Sequence, residues 1–360
     1  MFDYLVVGAG LAGCVFANET KKKGKKVLVV EKRNHIGGNC YIEKQNGINV
    51  HKYGAHIFRT NYKDVYDYVS SFIELNNFIN TPIAIYKDEV YNLPFNMNTF
   101  SKMFGVYKPD EVKQKIEETK IKFEEPKNLE EHCLSTVGSV VYERLIKGYT
   151  EKQWGVSCSE LPIEIMKRIP MRMTYDNNYY DAKYQGVADY NVMFEKMLEG
   201  CTVVTGVDYF KHKELLNKIC KKIVYTGSID ELYDYKFGVL GYRSLYFEHE
   251  LIHKKNEQGV AVMNYTDDSV PYTRTIEHKH FMKDVSDVTI VTKEYPVTWD
   301  KDKERYYPMN DERNNYLYKR YRKEAQKDGI LLCGRLAEYK YYDMDKVILS
   351  AFALVEKELV

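Results

Sequence analysis

The stretch Gly8-Ala9-Gly10-Leu11-Ala12-Gly13 decides the fold, because it follows directly on the largely apolar residues 3–7. The apolar run is typical of a buried parallel strand, and residues 11–23 have the pattern of a helix that ends near Gly24. A strand, a glycine-rich turn and a helix, in that order, form the phosphate-binding end of a Rossmann-like unit. The chain is therefore predicted to begin with an α/β dinucleotide-binding domain.

The residues of this turn have separate roles in the prediction. Gly8 permits the tight turn, Gly10 lets the backbone approach a pyrophosphate, and Gly13 lets the helix lie close to the sheet. Leu11 begins the helix, whose amino terminus carries a partial positive charge worth roughly 0.3–1 kcal/mol to a bound anion. These four residues are predicted to bind the cofactor.

The residues after the second apolar run, 27–30, indicate which dinucleotide binds. Glu31 is placed to hold a pair of ribose hydroxyls, and Lys32, the glycine pair Gly37-Gly38 and Asn39 follow it. A Gly-Gly pair shortly after the ribose acid resembles FAD-binding flavoproteins of the amine oxidase and glutathione reductase type more than NAD dehydrogenases. FAD is therefore predicted over NAD. The alternative is that the two glycines only form a loop.

Composition narrows the classes of protein to which the chain can belong. Its 360 residues are 44% hydrophobic, and 53 Lys plus Arg against 52 Asp plus Glu leave a formal charge of +1. So small a net charge recruits neither nucleic acid nor an acidic membrane, and neither is predicted as a partner. No apolar run reaches the roughly 18 residues of a membrane-spanning helix. The amino end carries no basic, apolar leader, which predicts a cytoplasmic protein.

The cysteines argue against a metal site. All seven are scattered through the chain without a Cys-x-x-Cys pair. An odd number of dispersed cysteines without a secretory signal favours reduced structural thiols over disulfides or zinc. No metal is predicted.

Changes in the hydrophobic pattern divide the chain into three units. A helical pattern covers about 98–173, and an alternating pattern covers about 240–296. Apolar runs typical of buried strands return at 223–227 and at 330–334. The first of these runs ends in Gly227, where a cofactor backbone could pass. The predicted fold is α/β, with an FAD-binding Rossmann-like domain, a helical insertion domain and a mostly antiparallel β-sheet domain. The predicted boundaries are 1–75 with 185–235 and 320–360 for the FAD domain, 96–180 for the helical domain, and 76–95 with 236–319 for the sheet domain.

Five motifs spread over almost the whole chain resemble those of the bacterial UDP-galactopyranose mutases, and they are specific. They are Gly54-Ala55-His56-Ile57-Phe58, Tyr149-Thr150-Glu151-Lys152-Gln153-Trp154-Gly155, Lys167-Arg168-Ile169-Pro170, Gly334-Arg335-Leu336 and Tyr341-Tyr342-Asp343-Met344-Asp345. The resemblance implies an isomerase that interconverts UDP-galactopyranose and UDP-galactofuranose without net redox change. It also implies a homodimer whose product supplies capsule or cell-surface polysaccharide.

The family mechanism supplies what the side chains do not. We find neither a Ser-His-Asp order nor a metal-ligand pattern in the sequence, so no side chain is marked as a nucleophile. The resemblance implies that FAD is active when reduced, that its N5 nitrogen attacks the anomeric carbon, and that a reductant or reductase is needed. The main alternative is a flavin oxidoreductase of the amine oxidase type, which would share the first 60 residues. A second is a non-catalytic protein that binds FAD or a nucleotide sugar.

The resemblance assigns the substrate site residue by residue. Arg168 and Arg274 would neutralise the departing diphosphate, because planar guanidinium groups suit phosphate oxygens. The other residues assigned to the UDP-sugar are Tyr149, Thr150, Trp154, Tyr179, Tyr307, Tyr341 and Asp343. Among them, Tyr179, Tyr307 and Tyr341 would donate hydrogen bonds to the phosphates, and Trp154 would flank the sugar and flavin.

The flavin side of the site is also implied by the resemblance. His56 would face the flavin near the sugar, and Arg335 and Asp343 would lie beside both. Met344 is assigned to the cofactor, in a segment whose helix amino terminus could point at the reduced isoalloxazine. His56 is counted with the two arginines among the predicted catalytic residues.

Arg59 departs from the family pattern. The family sequence reads His-Ile-Phe-His-Thr, whereas this chain has Arg59 after Phe58. Arginine is longer, permanently charged and donates in several directions. We include Arg59 among the predicted catalytic residues, and the hypothesis is that it widens specificity toward UDP-N-acetylgalactosamine.

Overall fold

The glycine-rich turn lies between the first strand and the first helix of the computed structural model, which describes residues 1–163 and 171–359. The strands are β1 (Phe2–Val7), β2 (Val27–Val30), β3 (Ile42–Gln45), β4 (Ile48–His51), β5 (Phe58–Thr60), β6 (Ile83–Tyr86), β7 (Glu89–Asn92), β8 (Tyr184–Gly186), β9 (Thr202–Val204), β10 (Cys220–Tyr225), β11 (Tyr242–Ile252), β12 (Val262–Tyr265), β13 (Arg274–Glu277), β14 (Thr289–Thr298), β15 (Tyr307–Pro308) and β16 (Leu331–Leu332). The helices are α1 (Leu11–Lys22), α2 (Lys63–Ser70), α3 (Met97–Phe104), α4 (Pro109–Thr119), α5 (Leu129–Thr136), α6 (Ser139–Val141), α7 (Gly148–Trp154), α8 (Tyr190–Leu198), α9 (Tyr209–Ile219), α10 (Ile229–Leu232), α11 (Lys279–Met282), α12 (Glu312–Lys327) and α13 (Met344–Leu359).

A five-stranded sheet carries the glycine-rich turn. Its order is β16-β10-β1-β2-β9, and every neighbouring pair is parallel. Val6 and Val29 face a core shared with α1, α8 and α13, whereas Leu5 and Leu28 face a second core shared with α9. Strands covered on both faces need continuous apolar runs, which explains the sequence pattern. The carboxyl ends of the central strands therefore meet at one edge.

Gly13 lets α1 lie against that edge. A Cβ atom at Gly13 would lie 2.0 Å from the carbonyl oxygen of Gly8, which leaves no room for any side chain. Gly8 itself has φ +104°, a left-handed conformation that favours glycine. The predicted Rossmann-like unit is confirmed.

The second large sheet has seven strands in the order β15-β11-β14-β13-β12-β6-β7. All its pairs are antiparallel except β12 with β6, which is parallel. The mostly antiparallel sheet that the alternating pattern predicts is therefore confirmed.

Helices α3 to α7 pack around a core of their own. Its fully buried members include Phe100, Val112, Leu129 and Tyr142. A π-helical stretch, Tyr142–Lys147, joins α6 to α7, which ends where Gly155 adopts φ +72°. The division of the chain into three domains at the stated boundaries stays a prediction.

The small pair of β5 and β8 has no counterpart among the predicted elements. Its antiparallel register places Arg59 opposite Gln185. The segment after the helical part of the chain is thereby joined to the segment that carries His56 and Arg59.

Candidate functional site

A cleft opens at the carboxyl edge of the parallel sheet, with about 1430 Å³ of empty space that includes open solvent. Of the residues predicted to bind the cofactor, those that line the cleft are Gly8, Gly10, Leu11, Glu31, Lys32, Gly38, Asn39, His56, Gly227, Arg335 and Met344. Gly13 lies behind this lining, and Asp343 lies outside it.

The floor of the cleft fits a pyrophosphate. Helix α1 begins after Gly10, whose backbone is extended (φ −76°, ψ −179°), and no side chain caps the helix. Gly38 lies so close that a Cβ atom on it would be 2.9 Å from the Cα of Gly10. Backbone N–H groups at an uncapped helix amino terminus are suited to a phosphate, and two glycines let it come close.

Glu31 is fixed at the end of β2. One carboxylate oxygen accepts the N–H of Ala9 at 2.8 Å, and the other accepts the N–H of Arg33 at 2.9 Å. The side chain is buried yet lines the cleft. A carboxylate held in this way can accept hydrogen bonds from the hydroxyls of a ribose.

Two arginines in the cleft lining were not predicted from the sequence. Arg33 forms an ion pair with Glu304 at 2.9 Å, and Arg305 forms one with Glu231 at 3.0 Å. Arg33 could have been suspected, because it follows Glu31 closely. Nothing in the local pattern marks the segment at 304–305, which reaches the cleft only through the tertiary fold.

A second cluster surrounds Arg274. The register of β13 and β14 places Arg274 opposite Glu294, and the two side chains form an ion pair at 2.8 Å, with Glu294 fully buried. Burial opposes the charge of the guanidinium, but Glu294, Tyr149 and Tyr307 together outweigh it, so the pKa of Arg274 lies well above its usual value. The Nε of Arg274 and the carboxylate oxygen of Glu294 that lies outside the ion pair have no hydrogen-bond partner within residues 1–163 and 171–359. Buried polar atoms that lack hydrogen-bond partners in the protein are suited to bind a polar ligand.

Four predicted tyrosines lie around this ion pair. Tyr307 stacks on Tyr341 with ring centroids 5.5 Å apart, and Tyr149 and Tyr179 lie within electrostatic range of Arg274. Burial raises the pKa of the Tyr149, Tyr179 and Tyr307 hydroxyls above the ordinary value. Neutral hydroxyls beside a guanidinium group can donate hydrogen bonds to an anion.

Arg59 and Asp343 connect the two parts of the site. Their side chains form an ion pair at 2.7 Å, and the Arg59 guanidinium carbon lies 3.9 Å from the centroid of the Tyr180 ring. Asp343 directly precedes α13, and its neighbour Met344 lines the cleft. The sequence predicts a role for each residue but not their pairing.

His56 lies where the cleft approaches the Arg274 cluster. Its Nδ1 is 2.8 Å from the carbonyl oxygen of Gly54, so Nδ1 carries the proton and Nε2 is an acceptor. Burial lowers the pKa of His56 to about 4, and the charges of Arg335 and Arg274 act in the same direction. His56 is therefore neutral at pH 7 and can accept a hydrogen bond from a ligand hydroxyl.

The structure does not bring every predicted residue into the cluster. Trp154 packs against the core of helices α3 to α7, and Thr150 is buried in α7, the helix that also carries Trp154. Helix α7 is fixed to the antiparallel sheet by Lys152, which donates to the carbonyls of Val270 and Tyr272, and by Arg243, which donates to the carbonyl of Gln153. Arg168 lies outside the described residues.

His51 gives the protein a predicted acid sensitivity. It is 1% exposed, and its Nδ1 accepts the N–H of His56 at 3.1 Å. Burial, with the neighbouring His56, lowers the pKa of His51 to about 3. The unfolded chain takes up this proton near pH 6.5, so the free energy of unfolding falls as pH drops from 6.5 toward 3. The loss from His51 is about 2 kcal/mol at pH 5.

The measurement is the urea unfolding free energy at several pH values for the wild type and for His51→Gln, which keeps an acceptor but does not titrate. Between pH 6 and 4 the variant is expected to lose stability less steeply, by about one proton. Equal slopes for the two proteins would show that His51 does not carry the effect.

Two other kinds of feature, a membrane-spanning helix and a metal-binding cluster, are absent from the described part of the chain. No helix there has both the length and the hydropathy needed to cross a membrane. No group of three or more His, Cys, Asp or Glu side chains in residues 1–163 and 171–359 is arranged to hold a metal ion.

Comparison with known proteins identifies relatives over the full length of the chain. Residues 144–341 match the UDP-galactopyranose mutase family model, and residues 6–72 match the NAD(P)-binding Rossmann-like domain. A Klebsiella pneumoniae protein named "Probable UDP-galactopyranose mutase" is 35% identical, with 99% of this chain and 94% of that protein covered. The dTDP-fucopyranose mutase of Escherichia coli is 33% identical, with 98% and 97% covered. A crystal structure of reduced UDP-galactopyranose mutase shares the fold, with a TM-score of 0.74, 14% identity and coverage of 99% and 95%.

Proposed function

The chain belongs to the UDP-galactopyranose mutase family, and from this we propose that it interconverts UDP-galactopyranose and UDP-galactofuranose with FAD as its cofactor. One observation in the structure supports this proposal most directly. Arg274, with unused donor capacity and neutral tyrosines around it, lies within electrostatic range of His56, which lines the dinucleotide cleft. A site for a diphosphate therefore adjoins a site for a dinucleotide.

The cleft fits FAD in three places. The uncapped start of α1 would hold the pyrophosphate, Glu31 would hold the ribose, and the lining at His56, Arg335 and Met344 would contact the flavin ring. Reduced FAD, when bound, supplies a nucleophilic nitrogen, N5, for the anomeric carbon of the sugar. This cofactor chemistry would explain why no nucleophilic side chain is marked in the sequence.

The side chains of the second cluster have binding and electrostatic roles in this proposal. Arg274 would offset the charge of the diphosphate as it leaves, and Glu294 holds the guanidinium in place. Tyr179, Tyr307 and Tyr341 would donate hydroxyl hydrogen bonds to the same phosphates. Arg168 is proposed as a second cation on the strength of the family resemblance alone.

On the flavin side, His56 would accept a hydrogen bond from a sugar hydroxyl through Nε2. Arg335 lines the cleft, as Met344 does, and its guanidinium group is held by the carbonyl oxygens of Tyr306 and Tyr342, at 3.2 Å and 3.1 Å. A fixed positive charge there would favour an anionic, reduced flavin. Tyr149, which lies within electrostatic range of Arg274, is proposed to contact the nucleotide and sugar. The same role for Thr150 and Trp154 is proposed on the family resemblance alone.

The test is to incubate FAD-loaded protein with UDP-galactofuranose, with and without dithionite, and to separate the products by anion-exchange chromatography. We expect UDP-galactopyranose only when the flavin is reduced. A protein that binds FAD and UDP but gives no product in either flavin state would contradict the proposal. Oxygen uptake coupled to oxidation of the substrate would favour the oxidoreductase alternative.

The same assay should include dTDP-fucofuranose, because one relative at 33% identity is a dTDP-fucopyranose mutase. Faster turnover of dTDP-fucofuranose than of UDP-galactofuranose would change the proposed substrate but not the proposed type of reaction. We also propose that the flavin needs a reductant or reductase, that the protein forms a homodimer, and that its product supplies capsule or cell-surface polysaccharide synthesis. Light scattering of the purified protein tests the oligomeric state.

Arg59 supports a second proposed activity, on UDP-N-acetylgalactosamine. Its guanidinium group uses one nitrogen in the ion pair with Asp343, at 2.7 Å, and stacks on Tyr180. The other donors remain able to contact an acetamido oxygen. We expect Arg59→His to lower activity on the acetamido sugar about tenfold relative to UDP-galactose, the size of one charge-assisted hydrogen bond.

Both substrates should be assayed with the reduced enzyme, and the ratio of their kcat/KM values compared between wild type and Arg59→His. Arg59→Lys is the matched control, since it keeps the charge but not the planar group. An unchanged ratio in Arg59→His would rule out Arg59 as the source of acetamido specificity.

A further inference from the structure

Lys152 is a half-buried lysine that bonds to main-chain carbonyl groups. Its Nζ donates to the carbonyl oxygens of Val270, at 3.2 Å, and Tyr272, at 3.1 Å, and Asp267 and Asp268 lie close enough to favour its charge. Within the described residues, no ion pair of 4 Å or less involves Lys152. A lysine held in this way has a role in fixing backbone positions.

The carbonyl groups that Lys152 binds belong to a loop, 266–273, that leads directly into Arg274. At its start, the Thr266 hydroxyl donates to the carbonyl of Arg144, at 2.6 Å. Gly148, the first residue of α7, lies so close that a Cβ atom on it would be 2.4 Å from the Thr266 carbonyl oxygen. The loop is therefore fixed at both ends against the segment that contains α7.

The two elements joined by Lys152 carry different parts of the substrate cluster. Helix α7 carries Tyr149, three residues before Lys152, and the loop leads into Arg274, two residues after Tyr272. Tyr149 and Arg274 lie within electrostatic range of each other. Their separation depends on how α7 lies against the loop.

We propose that Lys152 is a positioning residue that sets the placement of Arg274 relative to Tyr149 by fixing the 266–273 loop to α7. It acts through the two carbonyl groups and does not touch the substrate. The inference rests on the proposed function, because it assigns Arg274 to the diphosphate. It adds a residue whose side chain bonds to main-chain acceptors.

The test is a double-mutant cycle on kcat/KM for UDP-galactofuranose, with Lys152→Met and Arg274→Lys made singly and together in the FAD-loaded, reduced enzyme. If Lys152 works through Arg274, Lys152→Met lowers kcat/KM about tenfold in the wild-type background and less than about twofold in the Arg274→Lys background. The loss should appear mainly in kcat, because Arg274 acts on the leaving diphosphate. Lys152→Gln, which keeps two donors on a shorter stem, should show the same non-additivity with a smaller effect.

Lys279→Met is the matched control. Lys279 is also a buried lysine that donates to three carbonyls, those of Lys255, Ser286 and Val288 at 2.8–3.0 Å, but it lies beyond the other end of β13. Its effect on kcat/KM should be the same in both Arg274 backgrounds. Additive effects of Lys152→Met and Arg274→Lys in folded, FAD-loaded protein would overturn the inference. Absence of turnover in the wild type would instead contradict the proposed function.

Discussion

Arg274→Ala is expected to lower kcat/KM for UDP-galactofuranose at least about 100-fold, the usual cost of removing one preorganised group that stabilises developing negative charge. It is also expected to lower the free energy of unfolding by about 3–5 kcal/mol, because it leaves a buried carboxylate without its partner. That carboxylate is Glu294, which is fully buried and 2.8 Å from Arg274. Steady-state kinetics and urea unfolding measure the two effects separately.

Two further variants separate the electrostatic role from the structural one. Arg274→Lys keeps a positive charge beside Glu294 and should recover most of the lost stability, but without the guanidinium fork it should stay at least about tenfold below wild type in kcat/KM. Adding Glu294→Gln to Arg274→Ala removes the unpaired charge and should likewise restore stability without activity. Recovery of activity together with stability in either variant would mean that Arg274 is only structural.

A pair of alanine substitutions in the glycine-rich turn is expected to have the second largest effect. Gly10 has an extended backbone that any residue can adopt, and a Cβ atom there would lie 3.7 Å from the Gly38 Cα, an ordinary contact. Gly10→Ala should therefore fold but weaken FAD binding at least about tenfold, because the methyl group occupies the place where the pyrophosphate approaches the helix. Fluorescence titration with FAD measures the change.

Gly13→Ala is the contrasting variant. Its Cβ atom would lie 2.0 Å from the Gly8 carbonyl oxygen, so α1 must move away from the sheet. Overpacking of this kind costs about 1–3 kcal/mol or more, and it should appear as lost stability even without FAD. A Gly10→Ala protein with wild-type FAD affinity would contradict the placement of the pyrophosphate.

The parallel-sheet part of the fold could be predicted from the sequence because its signals are local. Apolar runs, glycines and Glu31 lie within the first 31 residues, and each has a direct consequence for backbone geometry. The seven-stranded sheet was predicted as a type from alternating residues, but its strand order was not. Pairing β12 in parallel with β6 joins residues 263 and 83, and no local pattern encodes that contact.

The site could be predicted only in part, for the same physical reason. The family resemblance named Arg274, but its partner Glu294 depends on the register of β13 against β14. Arg59 and Asp343 were each named, but they are 284 positions apart and only the fold brings them together. Arg305 and Glu304 reach the cleft through contacts with Glu231 and Arg33, which no motif predicts.

The proposed reaction uses reduced FAD but consumes no electrons. The most direct test is to reduce the FAD-loaded protein once, without oxygen, remove the excess dithionite, and count the UDP-galactopyranose formed from UDP-galactofuranose. We expect many molecules of product for each reduced flavin, and loss of activity when air reoxidises the flavin. At most one molecule of product per reduced flavin, or an oxidised sugar product, would contradict the proposed reaction.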